Sequence, residues 1–83
     1  MDKKLILSFT DREKKIEQDI EVPSDLTATE LLTALNQGFR LGIDQEDLRN
    51  CYVKSENPIA LLRGSRTLEE YGLRNGSIVR VRE

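Results

Sequence analysis

The stretch from Leu26 to Gly42 constrains the fold more than any other part of this sequence. Thr27 stands three residues before Glu30, which is the spacing of a capping box that closes the first turn of a helix. Leu26 and Leu31 stand at the positions of a hydrophobic staple across the same turn. Apolar residues then recur at intervals of three and four, namely Ala28, Leu31, Leu32, Leu35 and Phe39. The sequence therefore predicts one amphipathic helix that ends at a glycine and needs an apolar surface to lie on.

Alternating sequences on both sides of this helix predict the sheet that supplies the surface. Residues 4–10 and 15–22 alternate apolar and polar side chains across a short polar turn, which is typical of an antiparallel hairpin. After the helix, short strands are predicted at 51–54 and 59–62, with a turn sequence at 55–58 between them. A final strand is predicted at 77–82.

A second capping box, Thr67 with Glu70, predicts a single helical or 3₁₀ turn before the last strand. The complete order predicts an α+β fold with the elements β-β-α-β-β-short helix-β. One helix packs across one face of a mixed sheet of four to five strands, because this arrangement buries both apolar faces together. The first and last strands are expected to lie parallel at the centre of the sheet.

Composition excludes several classes of function. Eighty-three residues are enough for one domain over 1–83 with one small core. The chain has no histidine, the commonest general base and metal ligand, and its single cysteine favours a reducing cytoplasm. The net charge of −2 gives no attraction to nucleic acid or an anionic membrane, and no apolar run approaches the ~18 residues of a membrane span. We therefore expect a cytoplasmic protein that is not an enzyme and has no cofactor or metal.

The residues that were candidates for catalysis or metal binding have simpler structural interpretations. Cys51 opens a predicted strand and is expected to be a small buried hydrophobe. The acidic stretch 44–47 lacks the length, glycine and bidentate glutamate of an EF-hand, so it is expected to be a surface loop held to the core by Leu48. Tyr71 is expected to anchor the loop before the last strand through its hydroxyl.

This order of elements is that of the β-grasp fold, and two runs of sequence resemble ubiquitin. Residues 22–25 (VPSD) approach the capped helix as in ubiquitin, and residues 66–71 (RTLEEY) with Leu73 resemble its RTL-x-[DE]-Y-x-[IL] run. Ubiquitin and the sulfur carriers of the ThiS and MoaD type end in Gly-Gly, whose carboxylate is adenylated and transferred. This sequence reads RVRE at 80–83 instead, so neither conjugation nor sulfur transfer is expected. A modifier or a sulfur carrier is the alternative interpretation.

A compact ubiquitin-like chain of this kind is similar to the YukD/EsaB family of Gram-positive bacteria. The resemblance is carried by the size, the Leu-rich helix, the long segment before the third strand, and the run LRNGSIVRV at 73–81. This run at 73–81 fits the family pattern [LI]-x-x-G-[DS]-x-[VL]-x-[VIL]. The resemblance implies a non-enzymatic protein of type VII (WXG100, Esx-type) secretion systems. By this resemblance, the partner of the chain is the cytoplasmic part of a membrane secretion complex. The chain is expected to be a monomer or a weak homo-oligomer without direct membrane insertion.

One candidate binding surface follows from strand alternation. If Val79 and Val81 point to the helix, their neighbours on the last strand point away from it. The predicted protein-binding face consists of Ile6, Tyr52, Lys54, Ile78, Arg80 and Arg82. We expect an apolar centre of Ile6, Tyr52 and Ile78, rimmed by these cations and Lys4, in the place of the sheet patch by which ubiquitin-like domains usually bind partners. Because Arg80, Arg82 and Lys54 can cluster, a nucleic-acid-contacting module is a second alternative, disfavoured by the net negative charge.

Overall fold

The computed structural model describes residues 3–81. Its elements follow in the order β1 (Lys4–Asp11), β2 (Ile16–Pro23), α1 (Ala28–Gly38), α2 (Gln45–Leu48), β3 (Val53–Glu56), β4 (Ala60–Leu62) and β5 (Ile78–Val81). The five strands form one mixed sheet in the order β2-β1-β5-β3-β4. The central pair β1 and β5 is parallel, and the other neighbours are antiparallel. The predicted fold class and the parallel central pair are confirmed.

The helix α1 is closed at its start by the predicted capping box. The Thr27 hydroxyl accepts a hydrogen bond from the Glu30 N–H at 3.1 Å, and the Glu30 carboxylate accepts one from the Thr27 N–H at 3.0 Å. Two further amides of the first turn have no partner within a helix, and the loop after β4 accepts both of them. The Ala28 N–H donates to the Arg66 carbonyl, and the Thr29 N–H donates to the Gly64 carbonyl. The start of the helix is therefore joined to the loop that follows β4.

The apolar stripe of α1 lies in one core with the inner face of the sheet. The helix buries Ala28, Leu31, Leu32 and Leu35. The strands contribute Leu7, Phe9, Val53, Leu62, Val79 and Val81, and the loops add Leu41, Leu68 and Leu73. Phe39, at the C-terminal cap, places its ring 4.8 Å from that of Phe9. The stripe predicted from the sequence is thus the stripe that packs on the sheet.

The helix ends earlier than the sequence stretch that predicted it. Its last residue is Gly38, and Arg40 and Gly42 follow with positive φ angles of 52° and 76°. The Asn36 side chain then holds the returning chain, because its amide donates to the Ile43 carbonyl at 2.9 Å and its oxygen accepts from the Ile43 N–H at 3.0 Å. A side chain of the last turn thereby takes part in ending the helix.

Two local predictions differ from the structure. The third strand covers Val53–Glu56 instead of 51–54, because Ser55 and Glu56 of the predicted turn pair with Val79 and Ile78 of β5. The buried Ser55 hydroxyl donates to the Pro58 carbonyl at 2.7 Å, which compensates its burial in the sheet.

The structure contains a short helix that the sequence did not predict. The acidic stretch forms α2 rather than a loop, and Leu48 packs against the core as expected. The segment 67–72 forms the predicted single turn: the Tyr71 N–H donates to the Thr67 carbonyl at 3.1 Å, and the Glu70 N–H donates to the Thr67 hydroxyl at 3.1 Å.

Candidate functional site

The face of the sheet turned away from α1, here called the outer face, carries the predicted binding residues. On β5, Val79 and Val81 are buried against the helix, so Ile78 and Arg80 point to the outer face, where both are half-buried. The strand register places Ser8 and Glu56 beside Ile78, and Thr10 and Lys54 beside Arg80. Ile6 belongs to the same face and is 47% exposed. Arg82 lies outside the residues that the structure describes.

The expected apolar centre of Ile6, Tyr52 and Ile78 is not contiguous. Ile6 lies two residues before Ser8, the partner of Ile78, whereas Tyr52 lies two residues before Lys54, the partner of Arg80. Because β1 and β3 run in opposite directions, six residue positions separate Ile6 from Tyr52 along the strand direction. At about 3.3 Å per residue this is about 20 Å. The prediction of a single apolar patch is therefore wrong. The alternation of side chains along a strand shows which face a residue lies on, but not where it lies along the strand direction relative to residues of other strands.

Charges divide the outer face into an acidic and a basic part. On the edge strand β2, the outward residues Glu17, Asp19 and Glu21 are all acidic. On the other half of the sheet the Arg80 guanidinium is 2.6 Å from the Glu56 carboxylate, so these two charges compensate each other. Lys4 lies at the acidic edge, 3.5 Å from Glu21.

The half of the face made by β3 and β4 keeps its positive charge and exposes apolar surface that the sequence prediction did not include. Ile59 is 90% exposed and Leu61 is 55% exposed, and Leu61 lies directly beside Lys54 in the strand register. The Arg63 guanidinium lies 5.6 Å from the centre of the Tyr52 ring. The sequence shows that residues 59–62 are apolar, but four consecutive apolar residues do not show which of them face inward.

The residues considered for chemistry take structural roles. Within residues 3–81, no group of three or more Cys, Asp or Glu side chains is placed to hold a metal ion. Cys51 is half-buried rather than fully buried as expected, and it borders a cavity of about 700 Å³ between α1, α2 and the end of β4. The Tyr71 hydroxyl donates to the Arg63 carbonyl at 2.8 Å, which confirms its predicted anchoring role. No helix within these residues is long and apolar enough to cross a membrane.

The titratable groups with shifted pKa values belong to the two capping boxes. The Thr27 N–H, and then the Thr27 hydroxyl, stabilise the charged form of Glu30 and lower its pKa. The Thr67 N–H and hydroxyl lower the pKa of Glu70 in the same way, with a smaller contribution from the positive charge of Arg66. Both carboxylates are fully exposed, so these shifts indicate capping rather than an acid or a base in a pocket.

Comparisons with known proteins agree with this geometry. The family model described as "WXG100 protein secretion system (Wss), protein YukD" matches residues 8–81. No curated protein sequence matches the chain. The match to the family model confirms the family resemblance inferred from the sequence.

Solved structures share the architecture at low sequence identity. The ubiquitin-like domain of tubulin-binding cofactor B superposes with a TM-score of 0.75 at 14% identity, covering 98% of this chain and 90% of that one. The C-terminal ubiquitin-like domain of mouse tubulin-specific chaperone e gives 0.74 at 15% identity, covering 98% and 87%. The ubiquitin of Caldiarchaeum subterraneum gives 0.69 at 14% identity, covering 98% and 96%. At these identities the likeness shows the ubiquitin-like β-grasp fold alone.

Proposed function

Because this chain belongs to the YukD family of the WXG100 protein secretion system, we propose that it is a non-enzymatic adaptor or regulator of such a system. It acts by binding a protein partner in the cytoplasmic part of the membrane secretion complex, and not by being conjugated. The family match over residues 8–81 is the observation that carries this proposal, because it spans almost all of the described sheet and helix.

The outer face supports a binding role. On this face Ile78 lies beside Glu56, which is paired with Arg80, and Lys54 lies beside Arg80. The face continues to the exposed side chains of β4. Arginine and tyrosine side chains such as Arg80 and Tyr52 are enriched at protein interfaces and carry much of their binding energy. We therefore propose this face, including the predicted residues Ile6 and Tyr52 at its two ends, as the surface that the partner contacts.

A capture experiment tests the proposal. The immobilised protein is incubated with solubilised membranes of a bacterium that has this secretion system, and the retained proteins are identified by mass spectrometry. We expect retention of a membrane component of the system, and a loss of at least about tenfold with Ile78→Asp or Arg80→Glu, because each places a carboxylate in the interface. Arg74→Glu is the matched control, since it makes the same charge change at an exposed position outside the strands.

The possible outcomes test the outer-face interface and the adaptor function separately. Far-UV circular dichroism of each variant shows that the fold is retained before its capture is compared. Equal capture by wild type, Ile78→Asp and Arg80→Glu would move the interface away from the outer face. If no component of the secretion system is retained, the adaptor role itself is refuted.

Conjugation or sulfur transfer is distinguished by its covalent product. The protein is incubated with ATP and an activating enzyme of the ubiquitin or sulfur-carrier type, and its intact mass is measured. We expect an unchanged mass, whereas an adenylate or a thiocarboxylate would favour the modifier or sulfur-carrier alternative.

A further inference from the structure

The free edge of β4 combines exposed apolar side chains with unpaired strand hydrogen-bonding groups. β4 is the last strand of the sheet and pairs only with β3, so the backbone of its other side faces no strand. The two most exposed large apolar side chains within residues 3–81, Ile59 and Leu61, lie in or directly before this strand. Exposed edges and exposed apolar clusters both mark surfaces at which another chain binds.

The charges around this edge are positive. Lys54 lies beside Leu61 in the register, and Arg63 follows Leu61 by two residues on the same face. Within residues 3–81, no carboxylate forms an ion pair with either side chain. A cleft of about 340 Å³ lies beside Lys54 and is also bounded by Ile59, Leu61, Glu56 and Arg80. The negative charge of Glu56 is already compensated by Arg80, so the edge attracts acidic groups.

The other side of the same strand end borders a second concave surface. Leu62 and Arg63 line the cavity of about 700 Å³, together with Leu48 of α2 and the half-buried Cys51. Arg49 also lines it, and within residues 3–81 no carboxylate forms an ion pair with this arginine. Both faces of a strand added to β4 would therefore meet apolar surface with a cation beside it, because side chains of a strand alternate between the two faces.

A second copy of the chain fits this edge poorly. Two β4 edges pairing with each other would bring the positive charge of Arg63 from both copies to the same interface, which is unfavourable. The β2 edge of another copy is acidic on its outer face, but Glu17, Asp19 and Glu21 provide no apolar side chain to cover Ile59 and Leu61. The β4 edge therefore calls for a strand that carries apolar and acidic side chains on the same face.

We propose that β4 binds an extended segment of a partner protein, with an apolar centre and acidic flanks, as a sixth strand of the sheet. The added strand lies about 4.8 Å from β4 and satisfies its free backbone groups. Apolar side chains cover Ile59 and Leu61, and the acidic flanks pair with Arg63 and Lys54. The inference rests on the proposed adaptor function and names the chemistry of the partner segment.

A peptide probe tests this proposal directly. The probe is a fluorescein-labelled peptide of sequence Asp-Glu-Val-Ile-Val-Glu-Asp, and its binding is measured by fluorescence anisotropy. One comparison peptide carries Lys at the acidic positions, and another carries Ser at the apolar positions. We expect saturable binding of the acidic apolar probe that weakens at high salt, and binding at least about tenfold weaker for both comparison peptides.

Variants of the protein locate the site. Leu61→Asp and Arg63→Glu are expected to weaken binding of the probe by at least about tenfold, because each places a carboxylate against an acidic segment. Arg74→Glu is the matched control, since it makes the same charge change as Arg63→Glu at an exposed position outside the strands. In hydrogen exchange, amides of β4 are expected to gain protection when the probe is bound, which docking by side chains alone would not produce.

Several results would overturn the proposal. These are a dissociation constant weaker than about 1 mM, equally tight binding of the lysine peptide, and protection at β2 instead of β4. If sedimentation shows a concentration-dependent dimer and hydrogen exchange shows that dimerisation protects β4, the occupant of the edge is a second copy of the chain. This result also contradicts the proposal. If Ile78→Asp abolishes capture from membranes whereas Leu61→Asp does not, the adaptor function stands and the strand addition at β4 is refuted.

Discussion

Replacing Tyr71 with Phe tests how the loop before β5 is held to the end of β4. The Tyr71 hydroxyl donates to the Arg63 carbonyl at 2.8 Å and accepts from the Arg63 N–H at 3.3 Å. One hydrogen bond contributes about 0.5–1.5 kcal/mol to stability. The second bond is longer than the usual range of about 2.7–3.2 Å, so it contributes at the low end. We therefore expect Tyr71→Phe to lower the free energy of unfolding by about 1–2 kcal/mol.

Urea denaturation followed by circular dichroism measures this change. In a domain of this size, about 1 kcal/mol corresponds to a shift of about 4–8 °C in Tm, which gives a second readout. Tyr52→Phe is the matched control, because the same oxygen is removed but the Tyr52 hydroxyl has no hydrogen bond within residues 3–81. The control is expected to change stability by less than about 0.5 kcal/mol.

The comparison of the two variants decides the argument. If Tyr71→Phe and Tyr52→Phe destabilise the protein equally, the Tyr71 hydroxyl does not hold the end of β4. The result also bears on binding, since Arg63 is the residue that the hydroxyl fixes and one of the cations of the β4 edge. We expect Tyr71→Phe to weaken binding of the acidic probe less than Arg63→Glu does, because the charge of Arg63 is retained.

Two further predictions concern pH and the end of the helix. The lowered pKa values of Glu30 and Glu70 contribute stability that is present above the pKa of an unperturbed glutamate, about 4.3, and is lost as pH falls through their folded-state values. NMR titration of the two carboxylates checks this, and midpoints at or above that of an ordinary glutamate would contradict it. Asn36→Ala removes both hydrogen bonds to the Ile43 backbone and is expected to cost about 1–2 kcal/mol. In urea denaturation it is compared with Asn50→Ala at an exposed position, and equal effects would show that the Asn36 contacts do not stabilise the turn.

The local elements were predictable where the signal is short-range. The capping boxes of Thr27 and Thr67 formed as their spacing indicated, because each joins groups three residues apart in the chain. The hairpin of β1 and β2 followed from alternation across a short turn. The third strand was misplaced because Ser55 and Glu56 are paired by β5, which lies more than twenty residues further along the sequence.

The sequence by itself determined the amphipathic helix, the alternating strands and the family resemblance, because these depend on residue types at fixed short spacings. Only the tertiary structure decided which exposed side chains lie together. The alternation of side chains along each strand assigns Ile6, Tyr52 and Ile78 to one face. The distances between these residues depend on the register between strands that are far apart in sequence. The exposed pair Ile59 and Leu61 and the free edge of β4 likewise follow from the order of the strands in the sheet, which backbone pairing between distant segments sets.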